Sequence, residues 1–292
     1  MSCGGFLLSE ILLITDFAFA TDPSISLGIS LAKEHGAKLH VLHAVPMTNF
    51  DLSSTQFGGP SREILRNLSA IAESRQAVLG LHEIGSKLRA MGRSHAFDLI
   101  IVRAKGPGRR YSDRRILKEV FDSFRCPVLL VGPEVTSVNV EPMTIVYATD
   151  FSSHALDAGN EAFSWAQRYQ SWITMLHVVD GVGAWTETER TRIEEPFLRW
   201  MAEITPEGVP IWCEVEHRVR FGEAAVEVIR TIEELEADLV VIGFNGMDSL
   251  SVREPGATAI EIMSLANCPV LVVRGPESVD KIHRLPELTL AA

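Results

Sequence analysis

ILLITDF at residues 11–17 returns as IVYATDF at residues 145–151, an offset of 134. VLHAV (41–45) returns as MLHVV (175–179) at the same offset, FDLIIV (97–102) as ADLVVI (237–242) at 140, and CPVLLVGP (126–133) as CPVLVVRGP (268–276) at 142. Four anchors in one order, with an offset that only grows, mark a duplication in which the second copy gained a few residues. Each anchor is an unbroken run rich in Val, Ile and Leu. Such runs mark strands buried on both faces, as in a parallel sheet covered by helices.

The segments between the anchors read as helices. Pro23–His35 follows an N-cap signal at Thr21-Asp22 with proline in the first turn, and its counterpart is Ser153–Tyr169. Ala224–Ala237 and Thr258–Ala266 carry apolar residues at three- and four-residue spacing. Strand and helix in alternation predict two tandem α/β domains, each an open, parallel, doubly wound sheet of Rossmann-like type. The expected boundaries are 1–135 and 143–276, with a linker over Gly132–Met143 and a tail over 277–292. The final strands, Val128–Val131 and Val270–Val273, are expected to join the copies as a pseudo-dimer. The copies differ before their third anchor strand. HRVRFGEAAVEVI (217–229) reads as strand, Gly222 turn and helix, whereas Arg62–Met91 spaces Ile64, Leu68, Ile71, Val78, Leu81, Ile84 and Leu88 as one long helix. Copy one is therefore expected to lack an edge strand or to have a much weakened one.

The chain has 292 residues, 46% hydrophobic and 22% charged, with a net charge of −11. That charge disfavours nucleic acid, which needs a positive footprint. No run approaches the roughly 18 apolar residues of a membrane span. The apolar stretch Phe6–Thr15 is broken by Glu10 and ends at Asp16, and reads as a first strand, not a signal peptide. Cys3, Cys126, Cys213 and Cys268 are scattered without CxxC spacing, which suits a reducing cytoplasm and argues against a zinc ribbon.

Leu239–Ile242 runs into Gly243-Phe-Asn-Gly246, nine residues, and then Gly256-Ala257-Thr258 opening a helix. Two glycines after a buried strand let the backbone turn and approach a ligand closely. The third stands at a helix N-terminus, where free N–H groups and the dipole favour phosphate. Asp150 ends the other central strand, so it is expected across the same crevice.

With these residues in hand, the chain resembles a tandem universal stress protein over nearly all of both copies. The family pattern G-x2-G-x9-G followed by Ser or Thr is matched by Gly243, Gly246 and Gly256. Thr149-Asp150-Phe151-Ser152, His177-Val178-Val179 and Pro269–Val273 match as well. The resemblance implies an adenine nucleotide (ATP, ADP or AMP, with Mg²⁺ left open as its companion). Asp150, with Thr149 beside it, and the backbone at Val178 would hold adenine. Gly243, Gly246, Gly256 and the helix start at Ala257 and Thr258 would hold the phosphates. It also implies a role in stress adaptation with little or no turnover, so no catalytic or metal-binding residue is assigned. Ala257 departs from the family's Ser/Thr, and Asn245 and Met247 replace residues that many relatives have as polar or basic. Copy one departs further. Arg103-Ala-Lys-Gly106-Pro-Gly108 follows Val102, Arg114 or Ile116 falls where a glycine would open its last helix, and Ala44 replaces Val178, although Asp16 remains.

Plainer readings accompany several of these residues. His43 and His177 read as hydrogen-bonded core histidines, Cys126 and Cys268 as buried packing groups, and Asp16 as a turn or cap residue. The basic run Arg103–Lys118 reads as a solvated face, or as an anion site that substitutes side chains for glycine backbone. All five tryptophans fall in copy two and read mostly as core or inter-copy packing. The expected function is a non-catalytic nucleotide-binding stress protein, with a further homodimer of the tandem unit left open and no nucleic-acid or membrane partner. A scaffold without nucleotide and a slow ATPase are the alternatives.

Overall fold

A computed structural model describes residues 7–15, 22–45, 76–80, 83–103, 110–181, 185–245 and 255–275. The chain divides into two compact units, Leu7–Val140 and one that begins its described part at Glu141. In the first unit the elements are β1 (Glu10–Thr15), α1 (Pro23–His35), β2 (Lys38–Val45), β3 (Gln76–Gly80), α2 (Ile84–Ser94), β4 (Leu99–Arg103), α3 (Arg110–Ser123) and β5 (Val128–Val131). In the second they are β6 (Thr144–Ala148), α4 (Ser153–Tyr169), β7 (Trp172–Val179), α5 (Glu187–Ile204), β8 (Val215–Phe221), α6 (Ala224–Glu234), β9 (Leu239–Gly243), α7 (Ala257–Leu265) and β10 (Val270–Val273).

The strand order is β3-β2-β1-β4-β5 in the first unit and β8-β7-β6-β9-β10 in the second, parallel throughout. The duplicated anchors are therefore the same strands of the same fold. Ile11 to Ile14 and Val240 to Ile242 are buried at successive positions, so both faces of each sheet are covered. Asp22 caps α1 by accepting the Ser24 N–H at 2.9 Å, with Pro23 next, and Ser152 caps α4. The aspartate of each third anchor repeats its task in both copies. Asp98 accepts the Ser9 and Glu10 N–H groups at 2.7 and 2.9 Å, and Asp238 those of Met143 and Thr144 at 2.8 and 3.0 Å. One carboxylate thus satisfies amides at the start of the neighbouring central strand.

Several expectations are corrected. Copy one does not lack its edge strand but keeps a shorter one, five residues against the seven of β8: β3 pairs in parallel with β2, from Val41 opposite Gln76 to Val45 opposite Gly80. Apolar residues three or four apart over 62–91 mimic one long helix, but Gly80 disfavours helix at the end of β3, α2 begins only at Ile84, and an edge strand needs a ladder on one side only. The last helix of copy one begins at Arg110, ahead of Arg114. Cys268 is buried and burial raises its thiol pKa to about 12, whereas Cys126 is only half-buried. Among the tryptophans only Trp165 is fully buried; Trp172 and Trp212 stand half-exposed. Asp16, Gly246, Met247 and the side chains of His43 and Ala44 lie outside the described residues. Among the described residues, no helix is long and apolar enough to cross a membrane, and no group of three or more His, Cys, Asp or Glu is placed to hold a metal.

Candidate functional site

In the second unit β7 and β8 lie on one side of β6, and β9 and β10 on the other. The winding direction thus reverses between β6 and β9, whose carboxyl ends bound the crevice where α/β folds take ligands. The two strands are in register to the last turn, Ala148 opposite Ile242.

Past β6 the chain is tied down residue by residue. Thr149 N–H donates to the Leu176 carbonyl at 2.9 Å, and Thr149 C=O is 2.8 Å from His177 Nδ1. The carbonyl can only accept, so His177 carries its proton on Nδ1; burial lowers its pKa and favours the neutral ring. Thr149 Oγ1 accepts the Phe151 N–H at 3.0 Å, and Asp150 Oδ1 accepts the Ser152 N–H at 3.0 Å. Between these two turns Phe151 has φ 62°, a left-handed conformation rare for an aromatic residue. Its ring explains how that backbone is held. It stacks on Trp200 at 4.5 Å and lies 4.8 Å from the His177 ring, with Phe197 of α5 alongside. Cost in the backbone is met by packing in the side chain.

Ser152 joins the two strand ends. Its Oγ accepts the Ala155 N–H at 3.2 Å as the α4 cap and donates to the Asn245 carbonyl at 3.3 Å. Thr149, Asp150 and Gly243 are therefore brought to one place. The sequence assigns Ser152 no role of its own, although a serine just ahead of a helix is a readable cap signal.

Gly243 is a glycine for a different reason from the one expected. It ends β9 without a left-handed backbone, and a Cβ there would lie 2.8 Å from Ala155 N and 2.9 Å from the His154 carbonyl carbon. What approaches closely is the first turn of α4, not the loop's own turn. Beyond it, Phe244 N–H donates to Val273 C=O at 2.8 Å, and the buried Arg274 guanidinium sits 4.9 Å over the Phe244 ring. His154 Nδ1 accepts the Gly275 N–H at 3.1 Å; burial first, and Arg274 second, lower its pKa. Sequence reading missed this Arg274–Phe244–His154 group, whose one signal is the arginine inserted in the last anchor.

The loop returns through Gly256, whose N–H donates to Phe244 C=O at 3.0 Å, so the start of α7 is held beside the end of β9. Gly256 caps α7 at φ −59°, ψ 156°, an ordinary cap conformation that supplies no side-chain bond. Ala257 and Thr258 follow, both exposed. The first-turn amides thus receive no side-chain cap from Gly256 and are presented at the crevice end of the sheet. Val178 lies on β7 beyond Leu176, which is opposite the end of β6, so its backbone runs beside the Thr149–Asp150 turn.

Copy one has Arg103 where copy two has Gly243. Its Nη1 donates to the carbonyls of Gly132 at 2.7 Å, Val135 at 3.3 Å and Val131 at 3.4 Å, and its Nε lies 3.8 Å from Asp22 Oδ1. Asp22 also accepts from Thr15 Oγ1 at 3.2 Å. Arg103 is thus committed inward and is no anion ligand; farther along the run, Lys118 pairs with Asp122 on the surface of α3.

The universal stress protein family model matches residues 142–274, the whole of the candidate site. A universal stress protein of Methanocaldococcus jannaschii is 30% identical over 144 residues, 46% of this chain and 82% of that protein. The chain belongs to the universal stress protein family. Solved structures extend the likeness of this universal stress protein across both copies. One from Archaeoglobus fulgidus superposes with a TM-score of 0.61 at 15% identity, covering 91% of this chain and 98% of the other. A Pseudomonas aeruginosa protein of unknown function gives 0.60 at 18%, covering 91% and 92%. At these identities the structures show a common fold.

Proposed function

We propose that this universal stress protein binds an adenine nucleotide in its second copy and acts as a non-catalytic stress-response module. The observation that carries the reading is the joining of the two strand ends by Ser152, with the α7 amides returned to the same crevice by the Gly256–Phe244 bond. Asp150, Thr149 and the backbone at Val178 face the base. Gly243, Gly246, Gly256, Ala257 and Thr258 serve the phosphates through main-chain N–H groups, which do not need the hydroxyl that Ala257 lacks. A magnesium ion would accompany a triphosphate through the phosphate oxygens, since no carboxylate cage is present among the described residues.

The test is a thermal-shift and calorimetric titration with ATP, ADP and AMP, comparing the native chain with Gly256→Asp. The cap dihedrals at Gly256 suit aspartate, which would bond the α7 amides itself and set a carboxylate against phosphate. The variant should fold at least as stably and lose the nucleotide shift. A native chain that shifts with none of the three nucleotides, or a variant that shifts as the native chain does, overturns the proposal.

A further inference from the structure

The pole of copy two opposite the crevice carries apolar side chains that the fold does not require. Met143, Trp172, Ile211 and Trp212 are 54%, 50%, 75% and 51% exposed. Main-chain bonds set their segments side by side. Trp172 N–H donates to Met143 C=O at 2.8 Å, and Ile173 N–H donates to Glu214 C=O at 2.9 Å, two residues past Trp212. Copy one is an internal control. Its equivalent bond runs from Lys38 N–H to Ser9 C=O at 2.8 Å, so the same strand-start positions hold lysine and serine there. Exposed tryptophan at such a place marks a contact surface.

Charge says what kind of contact. Residues 141–275 contain 22 Asp and Glu against nine Arg and no Lys, while residues 1–140 contain 13 acidic and 16 basic residues. At this pole Glu141, Glu207 and Glu214 are exposed around the apolar group, and Glu236 lies beside the start of β9; Arg168, at the end of α4, is the opposing charge. We infer that this pole docks a basic amphipathic segment of a partner protein. The tryptophans supply the apolar contact and the glutamates select lysine or arginine around it. An anionic membrane is disfavoured by the same charges.

The full chain is titrated with a labelled 18-residue Leu/Lys amphipathic peptide, followed by anisotropy, beside a Leu/Glu peptide of the same pattern. The comparison variant, Trp172→Ser with Trp212→Ser, leaves the charge unchanged. Binding of the Leu/Lys peptide should weaken at least tenfold in the variant and fall as NaCl rises from 0.05 to 0.5 M, with the Leu/Glu peptide inert. Equal binding by the variant, or by the Leu/Glu peptide, overturns the inference. So does binding of phosphatidylglycerol vesicles in place of the peptide, or a self-association of the native chain in sedimentation that the variant abolishes. The variant's thermal midpoint and its nucleotide titration should match the native chain's, which keeps this result separate from that of the crevice.

Discussion

Gly243 and Gly256 belong to one sequence pattern yet hold different places for different reasons. At Gly243 a side chain would meet main-chain atoms of α4, which cannot swing aside as a flexible side chain can. Gly243→Ala should therefore cost about 1–3 kcal/mol of overpacking, read as a lower urea midpoint whether or not nucleotide is present. A Gly243→Ala chain as stable as the native one would show that α4 gives way. Gly256 has cap dihedrals open to other residues, so its substitution separates ligand binding from folding. The pattern G-x2-G-x9-G is legible in sequence, but the division of labour inside it is not. The neighbour that forces Gly243 is 88 residues earlier in the chain, at Ala155.

At the scale of elements, the strands of the central sheets were legible because each is buried on both faces and so is written as an unbroken apolar run. β3 was not. An edge strand is held from one side, and QAVLG carries too little apolar sequence to distinguish strand from helix. The aspartates at the head of β4 and β9 were visible as letters, but their acceptor role needed the register of β1 and β6. That role makes Asp238→Ala an informative change. Two amides at the start of β6 lose their acceptor, which should cost about 1–3 kcal/mol, and hydrogen exchange at Met143 and Thr144 should accelerate while β10 stays protected. Unchanged exchange there would show that other acceptors suffice. Phe151 lies beyond sequence reading for a related reason: its left-handed backbone is made tolerable by Trp200, 49 residues on.

For the whole molecule, duplication left two halves with unlike charge, and the acidic half holds every tryptophan. Tryptophan emission therefore follows the unfolding of copy two alone. Like charges in that copy repel, and salt screens them. The urea midpoint read by tryptophan fluorescence should rise from 0.05 to 0.5 M NaCl; a midpoint that stays flat or falls would mean that local ion pairs such as Arg220–Glu234 outweigh the net repulsion. The Arg103–Asp22 pair has a consequence of its own. Once a buried carboxylate leans on that guanidinium, placing glycine at position 103 strips Asp22 of its cation. The arginine is thereby locked in place: any single change at position 103 would first cost the first unit stability, whatever else it gained.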